Sequence, residues 1–253
     1  MIDLHSHLLP GVDDGSRSVE QSVTVLRRMV ERGVTELCLT PHLEASRMGQ
    51  GIPKAYDEAW ERLKPLIPDG IKLHRGVELM LDRPFPVEVA GRAEFRIGKS
   101  QSLLVEFPRL IAPPAALNAL SQMTQCGVIP LLAHPERYAC CSPEVVARWK
   151  AAGARMQLDA RTLFQPRSRG DRARALLAAG LGDILAADNH GDSRMLPDVY
   201  LALAEHGGHE QADLLARGNP AAILADGELT PVPPYTIKQP LLTRLRQLLN
   251  PEE

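Results

Sequence analysis

Residues 129–138 read Ile129-Pro130-Leu131-Leu132-Ala133-His134-Pro135-Glu136-Arg137-Tyr138. A short apolar run leads straight into a histidine and a charged turn. Runs of this length, bounded by turn residues, fit buried strands. The same phrase recurs at residues 2–4, 36–40, 72–77, 103–106, 155–158 and 183–187. Between these runs lie helical patterns at 19–31, 54–66, 115–125, 144–151 and 172–179. In the first helix Val19, Val23, Leu26 and Val30 fall at helical spacing, and Ser18 stands where an N-cap is favoured. Gly33, Gly127, Gly153 and Gly180 each follow a helical stretch, the usual place for a C-terminal glycine. Strand–helix alternation implies a parallel sheet with crossover helices. Seven such repeats predict one α/β domain, a closed or nearly closed barrel. An open doubly wound sheet is the competing arrangement.

Beyond the seventh strand, helices are expected at 195–205, 210–217 and 220–225. Pro231, Pro233 and Pro234 read as an extended connector to a final short helix at 239–249. The barrel is assigned to residues 1–227 and a C-terminal extension to 228–253. Lys plus Arg number 29 and Asp plus Glu 31, a net charge of -2 that argues against binding nucleic acid through a broad basic surface. Aromatic residues are only 4%, too few for single-strand stacking platforms. The four cysteines form no C-x-x-C pair, and Cys140 and Cys141 are adjacent, so no disulfide framework is indicated. No apolar run reaches the ~18 residues of a membrane span. Acidic and histidine residues appear by Asp3 and His5, before a signal-peptide core could form. A cytoplasmic protein with no membrane insertion is expected.

The informative residues stand where the strands end. His5 and His7 follow the first strand, and in extended chain i and i+2 point to one side. Asp13 and Asp14 sit in the turn after them. His42 follows the second strand, Glu78 the third, and Glu106 ends the fourth. His134 follows the fifth, and Asp188 and His190 follow the seventh. Singly, each has a bland explanation as a surface or hydrogen-bonded group. Jointly they do not, because six of seven strands deliver such a residue at their carboxyl ends. In a parallel barrel those ends share one mouth, where active sites sit. Unpaired carboxylates gathered there would repel, and metal cations resolve the conflict. The set His5, His7, Asp14, His42, Glu78, Glu106, His134, Asp188 and His190 is too large for one tetrahedral ion. It suits two or three ions, and nitrogen–oxygen ligation without thiolate fits Mn, Fe, Zn or Co.

In this order the residues resemble the PHP (polymerase and histidinol phosphatase) superfamily. The resemblance is carried by Asp3-Leu4-His5-Ser6-His7, Thr40-Pro41-His42, His134-Pro135-Glu136-Arg137-Tyr138 and Asp188-Asn189-His190. With Val12-Asp13-Asp14-Gly15, it is greatest to the manganese-dependent bacterial protein-tyrosine phosphatases of capsule and exopolysaccharide operons, the CpsB/YwqE type. It runs from residue 1 to about 225. It implies a distorted barrel of seven β/α units and a trinuclear centre, manganese first, whose ligands fall on the nine residues above with Asp14 preferred to Asp13. It further implies action on a phosphotyrosyl protein, the tail of a polysaccharide-assembly tyrosine kinase. An oligomer is compatible with it. One departure bears on substrate preference: a basic pair follows the second-strand histidine in Gram-positive members, but Leu43 and Glu44 follow His42 here, and the nearest cation is Arg47.

A bound metal lowers the pKa of its water from 15.7 to about 7 and so supplies hydroxide for in-line attack on phosphorus. Arginine suits the remaining phosphoryl oxygens, because its planar fork binds them bidentately. Arg137 and Arg194 are the candidates, each a few residues past an expected ligand. A tyrosyl phenolate leaves readily, its conjugate acid having a pKa near 10. Other phosphatase chemistries are absent. A cysteine enzyme needs Arg six residues after Cys, and those places hold Glu44, Leu132, Val146 and Ala147. Gly98-Lys99-Ser100 lacks the first P-loop glycine, which would fall at Ala93. The competing readings are a small-molecule phosphatase such as histidinol phosphatase, a nuclease of the same superfamily, and a non-enzymatic metal-binding regulatory module.

Overall fold

All seven expected strands form and all pair in parallel. A computed structural model describes residues 1–237; the helix expected at 239–249 lies outside the described residues. Two of the strands are broken in the middle. The second is β2 (Glu36–Leu39) and, past Pro41, β3 (His42–Glu44), with β1 (Ile2–Asp3) preceding them. The third is β4 (Lys72–Arg75) and, past Gly76, β5 (Glu78–Met80). Proline has no N–H to give the ladder, and Gly76 lies so near the neighbouring chain that a Cβ would come 3.0 Å from the Arg96 carbonyl. The first halves form the sheet β1-β2-β4. The second halves continue into β6 (Ser102–Glu106), β7 (Ile129–Ala133), β8 (Arg155–Asp159) and β9 (Ile184–Ala186), in the order β3-β5-β6-β7-β8-β9.

The two sheets make a distorted ring with the first and last strands brought together. The seam is not a continuous ladder. It consists of the isolated bridge Ser6–Asn189, the bond from His7 N to Asn189 O at 2.8 Å, and the bond from Ala187 N to the Asp3 carboxylate at 3.1 Å. On its other side Ser6 meets the second strand, its carbonyl accepting from Thr40 N at 2.8 Å. The open-sheet alternative is thereby set aside in favour of the expected barrel topology.

Side chains alternate across the strands as the pleat requires. Leu104, Leu131 and Ala133 point inward, where Ile2, Leu4, Cys38, Ile97, Ile184 and Ile223 join them in an apolar plug. Leu103, Val105 and Leu132 point outward, into the layer beneath the helices. Over that layer lie α3 (Pro113–Gln125), α4 (Pro143–Ala151), α5 (Ala160–Leu163) and α6 (Ser168–Ala178), whereas α1 (Val19–Glu31) and α2 (Lys54–Leu63) pack in a separate cluster against Leu37 and Leu39 of β2. After β9 come α7 (Leu196–Glu205), α8 (His209–Asp213) and α9 (Asn219–Leu224). The Ser18 hydroxyl accepts from Gln21 N at 3.2 Å, and Gly33 has a φ of 83°, so the first helix starts and stops as its sequence directs. The expected helix at 210–217 instead opens into a π turn over Leu214–Gly218. Past residue 227 the extended chain runs back along the barrel, with Tyr235 N on Leu177 O at 3.1 Å and Val232 and Ile237 buried. Among the described residues no helix is long and apolar enough to cross a membrane.

Candidate metal centre

The apolar plug ends at a layer of imidazoles and carboxylates. Glu106 lies two residues past the inward Leu104, so the pleat that buries one side chain aims the other at the mouth. His5 and His7 also face one way, with their Nε2 atoms 3.1 Å apart. Between them and the other strands stands Glu78. Its Oε2 is 3.2 Å from both those Nε2 atoms and 3.1 Å from His42 Nδ1, and its Oε1 is 3.0 Å from His134 Nε2. From the far side of the seam Asp188 Oδ1 reaches His5 and His7 Nε2 at 3.2 and 3.3 Å and His190 Nδ1 at 3.5 Å. Asp14 Oδ1 lies 3.4 Å from His42 Nε2 and 3.5 Å from His190 Nε2. Glu106 lies 3.4 Å from His42 and 3.7 Å from His134. All nine side chains expected from the sequence therefore meet in one place.

Their donor atoms fall into three overlapping groups, each within 4.8 Å: His7, Asp14, His42 and His190; His5, His7 and Asp188; His42, Glu78 and Glu106. His134 adjoins the third group through Glu78 and Glu106. The centre is graded in depth. His5, His7, Glu78, His134 and Asp188 are buried, whereas the Asp14 side chain is 69% exposed and marks the open side. Backbone strain accompanies the floor: His134 and Asp188 have φ of 36° and 50°, a region that non-glycine residues rarely occupy.

The electrostatics fit cations. Burial works against charge on His5 and His7, yet the carboxylates around them outweigh it and raise both imidazoles above their ordinary range. His42 is pushed up to about 10, burial again being overcome by Glu106 and Glu78. Burial would lift the Glu78 and Asp188 carboxyls, but the surrounding histidines hold both below the usual range. Without metal, the carboxylates favour the protonated form of His5, His7 and His42. A divalent cation supplies the same charge and binds neutral imidazole nitrogen. The donor set of nitrogen and carboxylate oxygen, in three overlapping groups, fits hard or borderline divalent ions.

A second ring of residues, given no role in the sequence reading, orients the first. Asp13 Oδ2 accepts from His7 Nδ1 at 2.8 Å, and the same carboxylate accepts from Gly15 N and His42 N. Gln157 Oε1 stands 3.0 Å from His5 Nδ1. Asp3 receives the backbone N–H groups of His5 and Ala187, and burial pushes its carboxyl up to about 7. Glu136 Oε1 accepts from Asp159 N at 2.8 Å. A signal for these was available: Asp3 shares the i, i+2 side of His5, and Gln157 and Asp159 end the one strand that gave no ligand.

The two candidate arginines converge on the outer oxygen of Asp188. Arg137 Nη2 lies 2.5 Å from Asp188 Oδ2 and 2.6 Å from Asp159 Oδ2, and Arg194 Nη1 is 3.6 Å from Asp188 Oδ2. Arg47, the cation nearest to His42 in sequence, is engaged with Glu44 at 2.8 Å.

With the geometry in place, known proteins can be compared. A family model described as "Capsular polysaccharide synthesis, CpsB/CapC" matches residues 1–225.

The chain belongs to the CpsB/CapC family.

Among relatives of this CpsB/CapC protein, the tyrosine-protein phosphatase YwqE of Bacillus subtilis is 33% identical over 140 residues, which span 54% of this chain and 55% of that one. The tyrosine-protein phosphatase CpsB of Streptococcus pneumoniae is 26% identical over 89% of this chain and 99% of its own. A solved chain from the pair YwqE of Bacillus subtilis and CpsB of Streptococcus pneumoniae, described as unique metal-dependent tyrosine phosphatases, superposes with a TM-score of 0.78. It is 24% identical and covers 94% of this chain and 100% of that chain. The phosphotriesterase of Mycobacterium tuberculosis shares the barrel alone, with a TM-score of 0.55 at 15% identity over 83% of this chain and 86% of that chain.

Proposed function

We propose that the chain is a metal-dependent phosphatase of phosphotyrosyl protein, with manganese as its ion and a tyrosine kinase of polysaccharide assembly as its substrate. The observation that carries this reading is the convergence of nine ligand-type side chains beside two arginines, in a family whose relatives are named tyrosine-protein phosphatases. Four carboxylates balance two divalent cations; a third leaves the centre with two positive charges, opposite to a phosphate monoester dianion. Bound ions would activate water and offset charge on the phosphoryl oxygens.

The protein's own groups do the rest. Glu78, central to the cluster, spans the groups through its two oxygens. Asp13 and Gln157 fix which nitrogens of His7 and His5 face the centre. Arg137 spends Nη2 on Asp159 and Asp188, which holds its guanidinium rigid and leaves Nη1 and Nε to donate to phosphoryl oxygens. Arg194, further out, closes the same side. The phenolate leaves toward the open edge at Asp14, where solvent protonates it. The absence of a membrane-crossing helix among the described residues suits a cytoplasmic enzyme that meets its substrate in solution.

The test is phosphate release from a phosphotyrosine peptide with Mn²⁺, comparing the wild type with His7→Ala and Asp188→Ala. Release that both variants lose is expected. No release by the wild type, or equal release by all three proteins, refutes the reading.

A further inference from the structure

Beside the centre lies a set of arginines that the reaction does not use. The Glu136 carbonyl accepts from Arg172 Nε at 2.8 Å, which seats the start of α6 against the turn carrying Arg137. Arg169 precedes Arg172 by one helical turn and so shares its face. From the other side comes the loop between β6 and α3. Its Arg109 carbonyl accepts from Ala139 N at 3.1 Å. Phe107 N donates to the Tyr138 hydroxyl at 3.1 Å, and that hydroxyl donates to Ala133 O at 3.0 Å. The loop is thus pinned to the segment that follows His134. Arg109 and Arg169 are both exposed, and next to them Leu110 is 84% exposed.

These charges are left without acids. Neither Arg109 nor Arg169 has an ion pair with any described residue. Burial first, and then the charges of Arg109, Arg137 and Arg172, push the Arg169 guanidinium below its ordinary range; the acid it feels, Asp159, already holds Arg137. A chain with net charge -2 has concentrated uncompensated cations at the rim of its mouth. That arrangement costs folding free energy, and carboxylates from outside would relieve it.

We propose that Arg109, Arg169 and Arg172 form a docking surface for acidic side chains flanking the phosphotyrosine of a polypeptide substrate. The inference rests on the proposed phosphatase reading and adds what the substrate carries around its phosphate. Arg137 links the two regions, since it binds Asp188 and its charge is felt at Arg169. An extended peptide advances about 3.3–3.6 Å per residue, so side chains one to three places from the phosphotyrosine reach that rim. Leu110 offers the same peptide an apolar contact. Exposed ion pairs are weak singly, and two or three amount to about tenfold in affinity.

The probe is a labelled peptide bearing a non-hydrolysable phosphonate analogue of phosphotyrosine, flanked by glutamates, alanines or lysines. Binding to the Mn²⁺-loaded full chain is read by fluorescence anisotropy, with thermal melts to establish that each variant is folded. The glutamate peptide is expected to bind about tenfold tighter than the alanine peptide, and the gap to shrink in high salt. The Arg109→Ala/Arg169→Ala double variant should abolish the gap. Arg169→Glu should turn the preference toward the lysine peptide. Equal affinity of the wild type for glutamate and alanine peptides, no measurable binding of the glutamate peptide, or a gap that survives the double substitution overturns the proposal. Phosphate release from a simple aryl phosphate tests the phosphatase reading separately, so the two failures are distinguishable.

Discussion

Replacing Asp13 with asparagine changes one oxygen to an amide and leaves the shape intact. All three partners of the Asp13 carboxylate are donors or act as donors toward it. Oδ2 faces His7 Nδ1 at 2.8 Å and His42 N at 3.2 Å, and Oδ1 faces Gly15 N at 3.0 Å. An asparagine NH₂ must therefore confront a donor whichever way it turns. If it faces His7, the ring gives up its Nδ1 proton and carries it on Nε2, the nitrogen aimed at Glu78 and Asp188. If it faces Gly15, His7 keeps its tautomer but leans on a neutral acceptor, and the Gly15 N–H is stranded. The second arrangement costs less. Loss of a charge-assisted partner behind a metal-binding histidine typically weakens metal affinity or activity by about 10- to 100-fold, or about 1.4–2.8 kcal/mol. Asp13→Asn belongs near the tenfold end, and Asp13→Ala, which removes every bond, near the hundredfold end. Competition against a chelator of known affinity measures Mn²⁺ binding directly. Equal affinity in wild type, Asp13→Asn and Asp13→Ala would refute the placement of Asp13 behind His7.

Three further outcomes are expected. Chelation should lower the melting temperature: at a free ion concentration of 100 times Kd, bound metal adds about 2.7 kcal/mol, worth roughly 5–10 °C in a chain of this size. Gly15→Ala should lose both stability and metal, because its Cβ would stand 2.0 Å from the His7 carbonyl and 2.4 Å from His7 Cβ; a calorimetric melt and metal content read the two losses. The third concerns Glu136, whose carboxyl is pushed up to about 8 by burial and then by Asp159. In the unfolded chain this group releases its proton near 4.5, so between pH 5 and 8 the folded state binds more protons and stability falls as pH rises. Melts at pH 6 and pH 8 in the presence of chelator should show a larger drop for the wild type than for Glu136→Gln.

The positions of the strands and the convergence of the candidate ligands were legible because each rests on a local rule. An apolar run of strand length stands out against turn residues, and a polar residue ending such a run has no bland reason to recur six times. What escaped notice depends on partners distant in sequence. Nothing near Asp13 says that it will meet the Nδ1 of His7 while Asp14 turns outward to His42 and His190; that division follows from the turn's path across the mouth. The breaks in the second and third strands were signalled by Pro41 and Gly76, but the transfer of pairing from one sheet to the next is a property of the whole ring. Arg137 was legible as a cation near the site. Its pairing with Asp159 and Asp188 was not, because those residues arrive from two later strands.

The seam between the first and last strands sets when the site can exist. Histidines 5 and 7 lie on one side of it and Asp188 and His190 on the other, held by a single bridge and a few hydrogen bonds. During synthesis the ribosome delivers the amino-terminal histidines early, and their acidic counterpart emerges some 180 residues later. Contacts of such separation form late in folding, after the intervening units have packed. A nascent chain thus carries only a partial set of the candidate metal-binding groups until the last strand docks. On the proposed reading activity waits for completion of the ring, and a product that stops short of residue 188 lacks Asp188 and His190 and is expected to be inert.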